Sequence, residues 1–202
     1  IRRQRQMCIR DRYGSDTVLS HFSYTFEKGF IYGITAPSGT GKTTLLNLIG
    51  NILKPAQGEI ETDFKTGIAY VFQEPELLSQ LTIAENIALP LAAYLKKEIA
   101  FEQAISILQK MELDGFENRF PNELSFGQQQ RAAIARALTY PSPLLLMDEP
   151  FKGLDEALSR RIIKRIRERQ TENGQTILFT SHNPGELHLF ADKTVRLDPT
   201  SH

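Results

Sequence analysis

Residues 36–44 read Ala36-Pro37-Ser38-Gly39-Thr40-Gly41-Lys42-Thr43-Thr44. These residue types at this spacing suit a receptor for phosphate groups. Gly39 and Gly41 let backbone N–H groups converge on phosphate oxygens with no Cβ in the way. Lys42 brings a cation to the β- and γ-phosphates of a nucleoside triphosphate, and the Thr43 hydroxyl is a candidate magnesium ligand. The helix that must follow adds the partial positive charge of its N-terminus. The usual spacing, G-x-x-x-x-G-K-[ST], has glycine where this chain has Ala36, a change that matters only if the backbone there needs a positive φ. The plainer alternative is an ordinary glycine-rich turn, and Lys42-Thr43-Thr44 argues against it.

Other chemistry-bearing residues sit at the ends of apolar runs. Leu144 to Met147 is followed by Asp148-Glu149-Pro150. Beside a phosphate loop, Asp148 is expected to hold a magnesium shell through water, and Glu149 to act as the general base on an attacking water. Gln73 follows a second apolar run and His182 a third. Alone, each reads as an ordinary polar side chain. At strand ends, His182 is expected to contact the γ-phosphate and align the water with Glu149, and Gln73 to sense magnesium and that water. Leu124-Ser125-Phe126-Gly127-Gln128 precedes a helix. Ser125 and Gln128 fit a capping box, and the same hydroxyl, glycine N–H and helix dipole also suit an anion.

The elements that must position these groups follow from apolar patterning. Phe30 to Ile34 reads as a buried strand before the loop, and Leu45 to Leu53 as a helix after it, with Leu45, Leu46, Leu48 and Ile49 as its apolar face and its end before Pro55. Val18 to Thr25 alternates as an antiparallel strand does, and Glu59 to Thr62 reads as a short edge strand. Ile68 to Phe72, Leu144 to Met147 and Thr176 to Thr180 read as buried strands. Residues 83–138 are mostly helical, with breaks near Pro90, Gly115 and Pro121, and Leu158 to Gln170 is amphipathic. Strands alternating with helices predict a largely parallel α/β sheet, whose ligands bind at the carboxyl ends of the strands. There the phosphate loop, Gln73, Asp148–Glu149 and Ser181–His182 are expected to meet.

Composition narrows the classes. The 202 residues fit one domain, and 24 Lys+Arg balance 24 Asp+Glu, so no polyanion partner such as nucleic acid is expected. The most hydrophobic stretch, 82–95, is broken by Glu85, Asn86 and Pro90, so no membrane span is expected. The single cysteine, Cys8, forbids an internal disulfide and suits a reducing compartment. Ile1 to Arg12 is basic, lacks a helical or strand period, and resembles translated adapter sequence. These residues read as a non-native leader standing where a first strand is missing, with a single domain over 13–202.

In this order the stations resemble an ABC-type ATPase subunit: phosphate loop, Gln73, Leu124–Gln128 with Gln129-Gln130-Arg131, Leu144–Glu149, Gly153-Leu154-Asp155 and His182. The resemblance covers nearly everything after residue 12. It implies a P-loop NTPase (RecA-like) core with a mostly parallel sheet, an N-terminal antiparallel β part and an inserted helical subdomain over about 83–138. It implies ATP and Mg2+ as cofactors, with Tyr13 stacking on adenine. It also implies a head-to-tail homodimer or heterodimer, in which each subunit closes its signature, Leu124 to Gln128, over the other's phosphate loop. Asp155 would link the two sites. Phe126 departs from the family, which has glycine there; the ring either crowds the partner's nucleotide or points away.

The segment Phe72 to Leu78, with Leu81-Thr82, resembles importer ATPases of the nitrate, sulfonate and taurine group. The expectation is therefore an energy-coupling subunit, peripheral on the cytoplasmic side of the membrane, docked through residues 74–100 to permease subunits and served by a substrate-binding protein. No regulatory domain is expected after the segment from Leu187 to Leu197. The alternatives are an ABC ATPase of DNA repair or translation, whose coiled-coil arms or tandem domains do not fit in 202 residues, and a weakly hydrolysing nucleotide-gated module. Intact Lys42, Glu149 and His182 argue against the last.

Overall fold

The computed structural model describes residues 7–13, 16–37, 39–55, 57–60 and 67–197, with residues up to 23 and residues 57–59 described by backbone alone. Two sheets organise the chain. The larger has five strands in the order β5 (Ile68–Val71), β6 (Leu144–Met147), β7 (Thr176–Thr180), β3 (Ile31–Thr35) and β8 (Lys193–Arg196), all parallel. The smaller is antiparallel, with β1 (Met7–Tyr13) between β2 (Asp16–Tyr24) and β4 (Gln57–Glu59).

Both faces of the parallel sheet are covered, which is why its inner strands β6, β7 and β3 are buried along nearly their whole length, while the edge strands β5 and β8 alternate. Successive side chains of a strand point to opposite faces. Leu144 and Leu146 of β6, Tyr32 and Ile34 of β3 and Leu178 of β7 therefore pack with Leu45, Leu46, Leu48 and Ile49 of α1 (Lys42–Ile49). Leu145, Met147, Ile31, Ile177 and Phe179 pack on the other face with the helices that follow. Those helices are α2 (Ile83–Ala88), α3 (Lys97–Lys110), α4 (Phe126–Thr139), α5 (Glu156–Asn173) and α6 (Pro184–Phe190).

The helical stretch expected over 83–138 is α2, α3 and α4, with short 3-10 turns at Leu89–Leu91 and Pro121–Glu123 where the prolines interrupt it. Proline lacks the N–H that would continue the ladder. Asn86, fully buried, anchors the approach to this stretch. Its amide donates to the carbonyls of Leu78, Leu81 and Thr82, and its Oδ1 accepts from Leu78 N–H.

Two expectations need correction. Met7–Tyr13 is a strand, although no strand period marks it: Cys8 pairs with Ser23 on one side and Glu59 on the other. Main-chain groups make the ladder, so an irregular side-chain pattern does not bar pairing. Register shifts after Ile9 and after Asp11 record that irregularity. The helix after the phosphate loop ends at Ile49 rather than Leu53. Gly50 N–H closes it on Leu46 O, Asn51 N–H bonds Leu48 O, and Asn51 turns left-handed.

Candidate functional site

Parallel order places the carboxyl ends of β3, β5, β6 and β7 along one sheet edge. The loop leaving β3 turns into α1 through Gly39 and Gly41, both left-handed at φ 78 and φ 88. A Cβ on Gly39 would meet nothing, so conformation, not crowding, calls for glycine there. Ala36 is not among the left-handed residues, and its methyl is buried beneath α1, so the missing first glycine imposes no backbone strain. Thr40 ties the loop by donating its hydroxyl to Pro37 O at 2.7 Å. The Lys42 ammonium, buried, donates to Ala36 O at 3.2 Å and Pro37 O at 3.5 Å. Thr44 lies half-buried in the first turn of α1. Ser38 lies outside the described residues. Tyr13 closes β1 opposite Asp16, and its side chain also lies outside them.

A hydrogen-bonded group joins three of these strand ends. Asp148, 2% exposed, accepts from the Thr43 hydroxyl at 2.6 Å and, through its other oxygen, from Thr180 at 2.5 Å. Thr180 Oγ1 in turn accepts the Glu149 N–H at 2.9 Å. Glu149 Oε1 lies 2.9 Å from His182 Nε2. Glu149 holds a φ of 45, a left-handed conformation uncommon outside glycine, with Pro150 next in the chain. The turn carrying His182 is itself braced. Ser181 Oγ donates to Glu186 at 2.5 Å and accepts Asn183 N–H, while Asn183 caps α6. Burial holds the Glu186 carboxyl above the usual range, opposed by the bond from Ser181 and reinforced by nearby Glu149.

Gln73 is half-buried just past β5. The preceding carbonyl, Phe72 O, accepts from Gln130 of α4 at 3.4 Å, and Asp148 N–H bonds Val71 O at 2.8 Å, so β5, β6 and α4 are held together at this edge. Tyr70 donates to Asn47 at 2.9 Å, and burial, with Asp148 adding to it, pushes its phenol well above the ordinary value.

The remaining expected residues sit in helix caps. Ser125 and Gln128 form both bonds of a capping box on α4, leaving the Ser125 side exposed, and Leu124 is buried behind them. Asp155 caps α5 by accepting Leu158 N–H at 2.8 Å. The side-chain bonds of Ser125, Gln128 and Asp155 are made within these caps and not to the Thr43–Asp148–Glu149–His182 group. Phe126 turns its ring toward Gly153.

Sequence reasoning missed Thr180 and the Ser181–Glu186 brace. A threonine closing a strand reads as a β-branched strand residue. Its signal was present nonetheless, as a hydroxyl ending an otherwise apolar run beside two carboxylates. No helix of the described residues is long and apolar enough to cross a membrane.

A magnesium ion fits the donor set. Among the described residues no three His, Cys, Asp or Glu side chains cluster to cage a metal. One hydroxyl and one buried carboxylate in contact are, however, the usual protein share of a magnesium site completed by phosphate and water.

A family model described as ABC transporter matches residues 19–152. The chain is 38% identical over 184 residues to "Thiamine import ATP-binding protein ThiQ" of Shigella flexneri serotype 5b (strain 8401), covering 86% of this chain and 79% of that one. The figures for the protein of the same name from Escherichia coli O157:H7 are the same. The fold superposes on the ATP-binding cassette MJ0796 in a dimeric post-hydrolysis state bound to ADP and Pi, with a TM-score of 0.87, 30% identity, and coverage of 96% of this chain and 94% of that one. A second structure, titled the dimeric structure of MJ0796, a bacterial ABC transporter cassette, gives 0.87 and 31% over 95% and 92%. The relatives are named for thiamine import, where the segment Phe72 to Leu78, with Leu81-Thr82, leads to the expectation of the nitrate, sulfonate and taurine group; both are importer names. With a P-loop fold, a strand-end carboxylate pair and these matches, the chain belongs to the ABC transporter family of ATP-binding proteins.

Proposed function

We propose that this chain is the ATP-hydrolysing subunit of a membrane importer, working as a head-to-tail dimer at the cytoplasmic face. The observation that carries the reading is the chain of contacts from Thr43 through Asp148 and Thr180 to Glu149 and His182. Lys42 and the loop N–H groups bind the phosphates of ATP. Thr43 and Asp148 would hold magnesium, Gln73 approaching it from the neighbouring strand; the ion's chemistry is to neutralise charge on the β- and γ-phosphates. Glu149 accepts the proton of the attacking water, and His182, in contact with its carboxylate, keeps that carboxylate aimed. Ser125, exposed at the start of α4 with the Gly127 N–H beside it, is offered to the partner's nucleotide. Loss of the γ-phosphate after hydrolysis removes charge-assisted bonds from both sides, and the pair reopens.

Docking to permease subunits through residues 74–100 is supported by apolar side chains left in solvent there: Leu78, Leu89, Tyr94 and Ile99, with Tyr94 61% exposed. Thiamine, the solute in the relatives' names, is the first to test in a transport assay. The deciding experiment is the molar mass of Glu149→Gln by light scattering, with and without Mg-ATP. A dimer appearing only with Mg-ATP supports the reading. A variant that binds ATP yet stays monomeric refutes the closing of one subunit over the other.

A further inference from the structure

The aromatic residue in the signature touches the turn that follows Glu149. A Cβ built on Gly153 would lie 2.8 Å from Phe126 Cδ1, and one on Gly127 would lie 2.6 Å from Gly153 O. The two backbones thus approach as closely as glycines allow, with the ring seated on Gly153, which is left-handed at φ 79. Above the ring sits Lys152, its ammonium 5.6 Å from the centroid. The same ammonium is 3.6 Å from Glu74, the residue after Gln73. The turn is closed by Lys152 N–H to Glu149 O and Leu154 N–H to Phe151 O.

We infer that Phe126 is a positioning residue whose ring holds the 152–154 turn against the start of α4, tying the signature to the segment between Glu149 and Asp155. The inference rests on the reading of those two segments as halves of ATP sites. The ring thus meets the 152–153 turn directly, and Lys152 in turn links it to Glu74. The ring lies against its own subunit at Gly153, so what it adds is contact within that subunit. Motion of the turn during hydrolysis at one site is thereby passed to the N-terminus of α4, which faces the other.

The test compares wild type with Phe126→Ala, Phe126→Tyr and the surface variant Lys152→Gln. Amide hydrogen exchange across residues 150–156, without nucleotide, should be about tenfold faster in Phe126→Ala and restored in Phe126→Tyr, with Lys152→Gln in between. In steady-state ATP hydrolysis, kcat of Phe126→Ala should fall about tenfold while KM changes less than about twofold, because the phosphate loop is untouched. Unchanged exchange in both Phe126→Ala and Lys152→Gln overturns the inference, as does a KM effect with kcat intact. If Phe126→Ala does not fold, Lys152→Gln decides by the same two readouts. A wild-type protein that releases no phosphate would sink the ATPase reading, while the exchange result would still decide whether the ring holds the turn.

Discussion

Thr180→Val is the sharpest probe of the site, because it keeps the branched shape of a fully buried side chain and puts a methyl group in place of its hydroxyl. That oxygen donates to Asp148 at 2.5 Å and accepts Glu149 N–H at 2.9 Å. A hydrogen bond to a charged group contributes about 1.5–3 kcal/mol, and a buried N–H left unpaired costs about 1–3 kcal/mol. The two losses share one atom and do not simply add, so we expect a destabilisation of about 3 kcal/mol. Urea denaturation should show it as a midpoint about 1 M lower at unchanged m-value. Glu149 would also lose a main-chain anchor for its left-handed conformation, so kcat for ATP hydrolysis should fall at least about tenfold, with little change in KM. Thr180→Ser, which keeps the hydroxyl, should stay close to wild type in both assays. A Thr180→Val protein within about 0.5 kcal/mol of wild type and fully active would refute the claim that this hydroxyl holds the carboxylate pair.

Lys42→Ala should weaken ATP binding by about a hundredfold or more, since a cation facing phosphates is removed; nucleotide titration by calorimetry checks it, and unchanged affinity would reject the loop as the nucleotide site. A third expectation concerns pH. The hydrogen bond from Arg161, with its charge, holds the Glu112 carboxyl below the usual range. A carboxylate depressed in the folded state stabilises it fully above the unfolded value, and that contribution disappears as pH falls through the folded value. The melting temperature of Glu112→Gln should therefore lie below wild type at neutral pH and converge with it in acid; a gap that persists below the carboxylate range would contradict this.

Much of this site was legible because parallel sheets are written in apolar runs. Leu144–Met147 and Thr176–Thr180 are uninterrupted, so the polar residues that follow them, Asp148–Glu149 and Ser181–His182, announce themselves as strand-end groups. The start of α1 was harder to see. Apolar periodicity detects only the buried face, and the three residues that open the helix, Lys42, Thr43 and Thr44, are polar. Met7–Tyr13 escaped because its pairing is written in main-chain bonds rather than side-chain pattern. Where the Phe126 ring points depends on Gly153, 27 residues away in the chain, and no local pattern encodes such a contact. The left-handed φ of Glu149 is likewise imposed by tertiary contacts on a residue type that does not favour it.

That last feature bears on how this protein would respond to selection in the laboratory. A glutamate held at φ 45 ahead of a proline is under conformational stress that a glycine would not feel, by about 1 kcal/mol. Glu149→Gly would then gain backbone ease while surrendering the carboxylate proposed above as the proton acceptor. A library screened for heat resistance alone would enrich inactive molecules at this position, sturdier than their parent and still able to hold nucleotide. Durability and turnover are in opposition at one dihedral angle, so any effort to toughen this subunit needs to select for phosphate release at the same time.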